Sequence, residues 1–124
     1  MATPVDPRLH TPKTVYQNTT ITSGTTTDEI DIKGGTLVAV LIPASVSSTT
    51  MTITASPTSG GTFTTIYDGL AQYVSAAGNL SFTIAASKWV IIPASAVVGF
   101  NFIKLVFGSS ETSKTYTVAY RHLD

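Results

Sequence analysis

The sequence predicts an all-β domain, and three observations predict it. From Thr14 onward, β-branched and aromatic residues alternate with polar ones at period two. Clusters of Gly, Ser, Asn and Pro punctuate the alternation, and no amphipathic helical stretch competes with it. Finally, the phrase Ile-Pro-Ala-Ser occurs twice, at Ile42-Pro43-Ala44-Ser45 and Ile92-Pro93-Ala94-Ser95, each time closing an apolar run. Proline has no N–H and a fixed φ, so each copy marks a place where the chain leaves a sheet. Two such corners in one chain are met most simply by a single antiparallel two-sheet β-sandwich of jelly-roll type.

Residues 1–14 hold Pro4, Pro7 and Pro12 among Asp6, Arg8, His10 and Lys13, a composition that favours an extended N-terminal arm. The sandwich is expected over 15–124. Its first strand is 15–22. In 29–33 the isoleucines Ile30 and Ile32 face one way and Glu29, Asp31 and Lys33 the other, so this strand is half exposed. Strand 36–42 runs into the first Pro corner. Strand 49–56 turns Met51, Ile53 and Ala55 inward and keeps its outer face polar with Thr, a strong strand former without charge. Strand 63–67 follows Gly60-Gly61, and strand 80–84 turns Leu80, Phe82 and Ile84 inward. Strand 89–92 meets the second Pro corner. Strand 100–107 ends at Gly108, and strand 114–121 puts Tyr116, Val118 and Tyr120 on one side.

Strands 36–42 and 100–107 are apolar on both faces over much of their length. A monomeric sandwich covers one face of each sheet, so the second face is expected to be buried by the arm, a loop or another subunit. Val38, Val40, Phe100, Phe102 and Val106 are the residues expected in a subunit interface.

Composition narrows the function. One domain fits in 124 residues. Charged residues are 11% of the chain and the formal net charge is zero, against roughly 25% charged residues in ordinary soluble domains. A nucleic-acid binder needs clustered Lys and Arg, which are absent, so no nucleic-acid partner is expected. There is no cysteine, hence no disulfide and no thiolate metal site. No apolar run approaches the ~20 residues that span a bilayer, and the N-terminus lacks a signal-peptide pattern. The expectation is a chain made in a cytoplasm, with no membrane partner.

Catalysis is not expected. His10 and His122 lie near the two termini, and no hydrolase, phosphate-loop or dinucleotide motif is present. Asp28, Glu29, Asp31 and Asp68 lack calcium-loop spacing. No cofactor and no metal are expected. Tyr67, Tyr73 and Trp89 would make a glycan platform if they faced one exposed groove.

A further pattern runs along the chain: Gly35 to Ala44 with its Ile-Pro-Ala exit, a Thr-rich strand ending Ala55-Ser56, Gly60-Gly61-Thr62-Phe63, a second Pro-Ala exit, Gly99-Phe100-x-Phe102-x-Lys104-Leu105, and a final strand ending in Arg121. Over residues 20–121 this resembles small structural proteins of tailed bacteriophages, encoded among head and tail genes. The resemblance implies a virion component made in the host bacterial cytoplasm, and a capsid decoration or cement protein is the form of it that low charge and two-sided apolar strands suit. On that reading the major capsid protein is the partner, the arm residues Arg8, Leu9, His10 and Lys13 make the capsid contact, and the chain assembles as a trimer or dimer on the capsid surface. A tail, neck or head-fibre-anchoring accessory is the alternative within the virion, and a glycan-binding module the alternative outside it.

Overall fold

The computed structural model describes residues 13–122, and they are all-β: one curled antiparallel sheet and a small second sheet. The strands are β1 (Lys13–Thr26), β2 (Ile30–Asp31), β3 (Thr36–Leu41), β4 (Thr50–Ser56), β5 (Thr64–Thr65), β6 (Tyr67–Asp68), β7 (Gly78–Asn79), β8 (Ser81–Thr83), β9 (Trp89–Ile91) and β10 (Phe102–His122). In the large sheet the order is β5-β4-β10-β3-β9, with β1 and β2 also on β10 and β8 on β4; β6 and β7 pair separately.

The repeated phrase does what proline chemistry requires. Strands β3 and β9 stop at Leu41 and Ile91, one residue before each Ile-Pro, and a turn follows at each Ala-Ser. The two strands pair antiparallel with Val40 opposite Val90. At one end Ile42 N–H donates to Lys88 O at 2.9 Å, and at the other Ile92 N–H donates to Val38 O at 3.0 Å. These bonds are the same bond with the two strands exchanged, fifty positions apart. The strands that follow the corners repeat the relation, since β4 pairs with β10 with Thr54 opposite Lys104. The Asp31–Phe102 pair has its counterpart in Ser81–Thr52. The pairings within 30–56 and 80–106 therefore repeat at a constant offset and are related by a local two-fold, while the backbone differs at places such as Ser45, with φ 63°, and Ser87, with φ 60°.

Alternation holds for most of the core. Ile30, Ile32, Met51, Ile53, Leu80, Ile84, Ile103, Leu105, Tyr116, Val118 and Tyr120 are all buried. Full burial of one such side chain contributes about 1.5–3 kcal/mol, so this row is the main stabilising term of the fold.

Three expectations change. First, 100–107 and 114–121 are one strand of 21 residues. Its first half pairs with β4 and β2, its last with β3, and β1 runs beside it for most of its length. Gly108 continues the strand because Ser109 N–H donates to Ser48 Oγ at 3.2 Å, and a Cβ at Gly108 would meet Thr50 Oγ1 at 2.6 Å. Second, β1 is longer than expected. Gly24, at φ +125°, does not turn the chain but sits in a bulge opposite Glu111. Lys13 and Thr14 are strand residues paired with His122 and Arg121; Arg8, Leu9 and His10 lie outside the described residues. Third, 63–67 breaks at Ile66 into β5, in the large sheet, and β6, in the small one.

Candidate functional site

Three surfaces on this scaffold carry side chains that the core does not use. The first is the outer face of β1, β10, β3 and β9. Register places Tyr16 opposite Ala119, Ala119 opposite Ala39, and Ala39 opposite Ile91, in one row across four strands. The two alanines leave space above the sheet. Into it lean Tyr16 and Trp89, whose rings meet edge to face with centroids 6.1 Å apart and planes at 62°. Tyr16 is 64% and Ile91 79% exposed, and Trp89 about half exposed. The result is a continuous aromatic and aliphatic strip beside the sheet's edge strand, β9.

A second surface is a shallow cleft of about 260 Å3 formed where β6 leaves the large sheet. Asp68 builds it. Its buried carboxylate accepts N–H bonds from Gln72 at 3.1 Å, Tyr73 at 2.8 Å and Val74 at 3.1 Å, so residues 69–74 wrap around it. The Tyr73 N–H bond dominates in holding the Asp68 pKa below its ordinary value of 3.8; burial opposes this, and the Gln72, Val74 and Leu70 N–H groups reinforce it. Tyr73 packs against the core and its hydroxyl is hydrogen-bonded to Ser95 Oγ of the second Pro corner.

A third is a larger cleft of about 460 Å3 at the start of β3, lined by Lys33, Val38, Arg121 and His122 among others. Asp31 Oδ1 accepts the Lys33 N–H at 2.9 Å and fixes the turn there, with Lys33 at φ 57° and Gly34 at φ 70°.

Apart from these linings there is a buried carboxylate that sequence reasoning missed. Glu111, 2% exposed, accepts both the Ser47 N–H (2.9 and 3.0 Å to its two oxygens) and the Ser48 N–H at 2.7 Å and hydroxyl at 2.5 Å. It clamps the connection between β3 and β4 onto the middle of β10. Burial pushes its pKa up, but the Ser47 N–H, the Ser48 hydroxyl and N–H, and the charge of Lys114 outweigh burial and hold it below 4.5. Close by, Tyr116 stacks on Phe107 at 4.4 Å between centroids. The Tyr116 hydroxyl is buried without a hydrogen-bond partner among the described residues. Burial, and then the charge of Glu111, push it up to about 12.

The expected site residues divide among these surfaces. Tyr67 and Tyr73 share the Asp68 cleft, but Trp89 is not with them: it lies on the outer sheet face against Tyr16, so the three form no common platform. Val40 is corrected as an interface residue, being fully buried in the chain's own core. The cause is a β-bulge. Tyr120 faces Leu37 and Ala119 faces Ala39, which leaves Val38 as the extra residue and reverses the alternation, so that Leu37 and Val40 both point inward. Val38 is half-buried and lines the Lys33 cleft. Phe102 and Val106 are half-buried, and a loop supplies part of the cover on their face, with Lys104 Nζ 4.5 Å from the centroid of Phe63. Phe100 is exposed beside Ala55 and Asn101.

Tyr16 and Ile91 carried no clear outward signal, since Trp89 to Ile92 is apolar throughout and Tyr16 lies between Val15 and Gln17. Their meeting in one row depends on two strands distant in sequence, β10 and β3. For Glu111 the signal was a lone acid in a Ser/Thr-rich stretch beside Gly108.

Among the described residues no three His, Cys, Asp or Glu side chains converge as metal ligands, and no helix is long and apolar enough to cross a membrane. The class defined by these features is an all-β domain with a rigid sheet scaffold and exposed aromatic surface. Comparison of the chain with family models, with curated proteins and with solved structures found no match.

Proposed function

We propose that this chain is a virion structural protein, a capsid decoration or cement protein that binds the mature phage head and bridges capsomers. One observation carries the reading furthest: the outer face of β1, β10, β3 and β9 presents Tyr16, Trp89 and Ile91 together in a chain with only 11% charged residues. An apolar strip on an exposed sheet face, next to an edge strand, suits burial against another protein. We read the curl of the large sheet as a two-layer sandwich of jelly-roll type, with the Val40–Val90 pair in one layer and the Thr54–Lys104 pair in the other. The internal two-fold favours that arrangement, because a single axis then passes through both self-paired positions.

In this reading the stabilisation is linkage. A protein that binds the assembled shell and not its separated parts shifts the equilibrium toward the shell, by about 2.7 kcal/mol per site at a concentration 100-fold above Kd. The strip supplies contact between copies of this chain, as a trimer or dimer on a local symmetry axis. Arg8, Leu9 and His10, outside the described residues, supply the capsid contact with Lys13 at the start of β1. The test is deletion of residues 1–12, which leaves β1 whole. Head occupancy is expected to be lost with the thermal midpoint unchanged; full occupancy by the truncated chain refutes the arm's role. A tail, neck or head-fibre-anchoring position is the second reading, supported by the same surfaces and separated from the first by copy number.

A further inference from the structure

The Asp68 cleft is not a by-product of the duplicated scaffold. Segments 30–56 and 80–106 share their pairing register, and the cleft is built mainly by the stretch between them together with Leu80, Ser95 and Ala96 of the second segment. The first corner has Ser45 at the equivalent place, but Ser45 takes φ 63° and lines neither of the clefts described above. Something other than the two-fold accounts for this feature.

Its floor is fixed and its rim is open. Asp68 locks the backbone at Gln72, Tyr73 and Val74, and the second corner is closed by Ala96 N–H to Pro93 O at 2.9 Å. The Tyr73 and Ser95 hydroxyls are thereby held together at one wall. On the rim, Tyr67 is 63% exposed, turned outward by strand alternation with the buried Asp68, and Leu70 and Gln72 are exposed beside it. Most of Tyr67 is therefore open to solvent, with its ring edge beside Gly69.

The chemistry of the lining selects a ligand class. Among the described residues no Lys or Arg lines the cleft to offer an anion a counter-charge, and the carboxylate there, Asp68, is engaged by N–H groups of its own loop. What is offered is an exposed aromatic face, a primary amide that can donate and accept, and two adjoining hydroxyls that can do the same. A sugar ring has the matching parts: an apolar C–H face for the aromatic and hydroxyls for the amide and the hydroxyl pair. The volume lies just below the ~300–1,000 Å3 of pockets that enclose a drug-sized ligand, as suits one ring lying in an open groove. We propose that this cleft binds a neutral saccharide, with Tyr67 as the stacking platform and Gln72, Tyr73 and Ser95 as the hydrogen-bonding groups. The site does not rest on the virion reading, and it excludes Trp89.

The experiment is saturation-transfer difference NMR on the full chain with the methyl glycosides of glucose, galactose, mannose and N-acetylglucosamine, followed by titration of any that respond. Transfer to ring protons is expected for at least one, with a Kd on the order of 1 mM, as one stacked ring with a few hydrogen bonds gives. Tyr67→Ala is expected to weaken binding at least ~10-fold, the effect of ~1.4 kcal/mol, and Trp89→Ala to leave it unchanged. Both positions are exposed, and an unchanged thermal midpoint checks that each variant is folded. Absence of transfer from all four glycosides overturns the proposal. Transfer that survives Tyr67→Ala, or is lost with Trp89→Ala, overturns it as well.

Discussion

Val40 and Val90 stand opposite each other across the β3–β9 pair, fifty positions apart in the chain. Thr54 and Lys104 stand in the same relation across β4 and β10. An antiparallel pair of equivalent residues maps onto itself when the two strands are exchanged, so a local two-fold passes through both pairs. The relation is closest in the core and at the corners, where Val40, Ile42, Pro43, Ala44, Ser45 and Ile53 recur unchanged as Val90, Ile92, Pro93, Ala94, Ser95 and Ile103. It is lost at Gly35. There a Cβ would meet Arg121 O at 2.2 Å, while the equivalent Ala85 is exposed.

The bulge at Val38 decides which of two neighbouring valines holds the core. Val40→Ala is expected to cost about 1.5–3 kcal/mol through lost burial and the cavity left behind. Val38→Ala, at the half-buried extra residue, is expected to cost less than about 1 kcal/mol. Urea midpoints of the two variants check this, and equal losses would mean that the strand alternates without a bulge.

Glu111 makes stability depend on acid. Its folded-state pKa lies below 4.5, so its contribution is full above pH 4.5 and is lost as pH falls through the folded value. Glu111→Gln is expected to cost about 1–3 kcal/mol at pH 7, because two N–H groups and a hydroxyl lose a charged acceptor. Thermal midpoints of the two proteins should converge below pH 4.5. Asp68 and Glu29, also lowered, leave a residual acid slope common to both.

Tyr116 gives the complementary test at high pH. With its hydroxyl raised to about 12 from 10.0, folding is favoured below pH 10 and loses this contribution as pH climbs toward 12. Tyr116→Phe removes a buried hydroxyl without a partner among the described residues and is expected to leave stability unchanged or to raise it by up to about 1 kcal/mol. A spectrophotometric tyrosine titration of wild type should retain one late-ionising group that the variant lacks. A loss above ~1 kcal/mol in the variant would show that the hydroxyl has a partner.

Trp89 is the single tryptophan and sits in the strip assigned to assembly, so its emission reports on that face directly. Raising the protein concentration is expected to shift emission to the blue together with growth in sedimentation coefficient. Ile91→Lys should suppress both while changing monomer stability by no more than ~0.5 kcal/mol, since the side chain is exposed. A variant that assembles as well as wild type would remove the strip from the interface.

Much of this was legible in the residues. Proline chemistry placed the ends of β3 and β9, and period two separated Ile30 and Ile32 from Glu29 and Asp31. What sequence could not show are events set by distant partners. The bulge at Val38 carries no glycine to mark it. Gly108 reads as a turn, but it lies within a continuous strand whose next residue, Ser109, is hydrogen-bonded to the Ser48 hydroxyl about sixty positions away in the chain. Tyr67, Tyr73 and Trp89 look alike on paper, but the split of 63–67 between two sheets and the small residues Ala39 and Ala119 send them to separate surfaces.

Copy number in purified virions is the decisive measurement, read by quantitative gel densitometry against the major capsid protein. A decoration protein predicts a ratio of about one, or about one third to two thirds, as symmetric seating on a capsid lattice gives. A ratio matching a tail ring or fibre set would move the chain off the head, and its absence from virions would contradict the virion reading altogether.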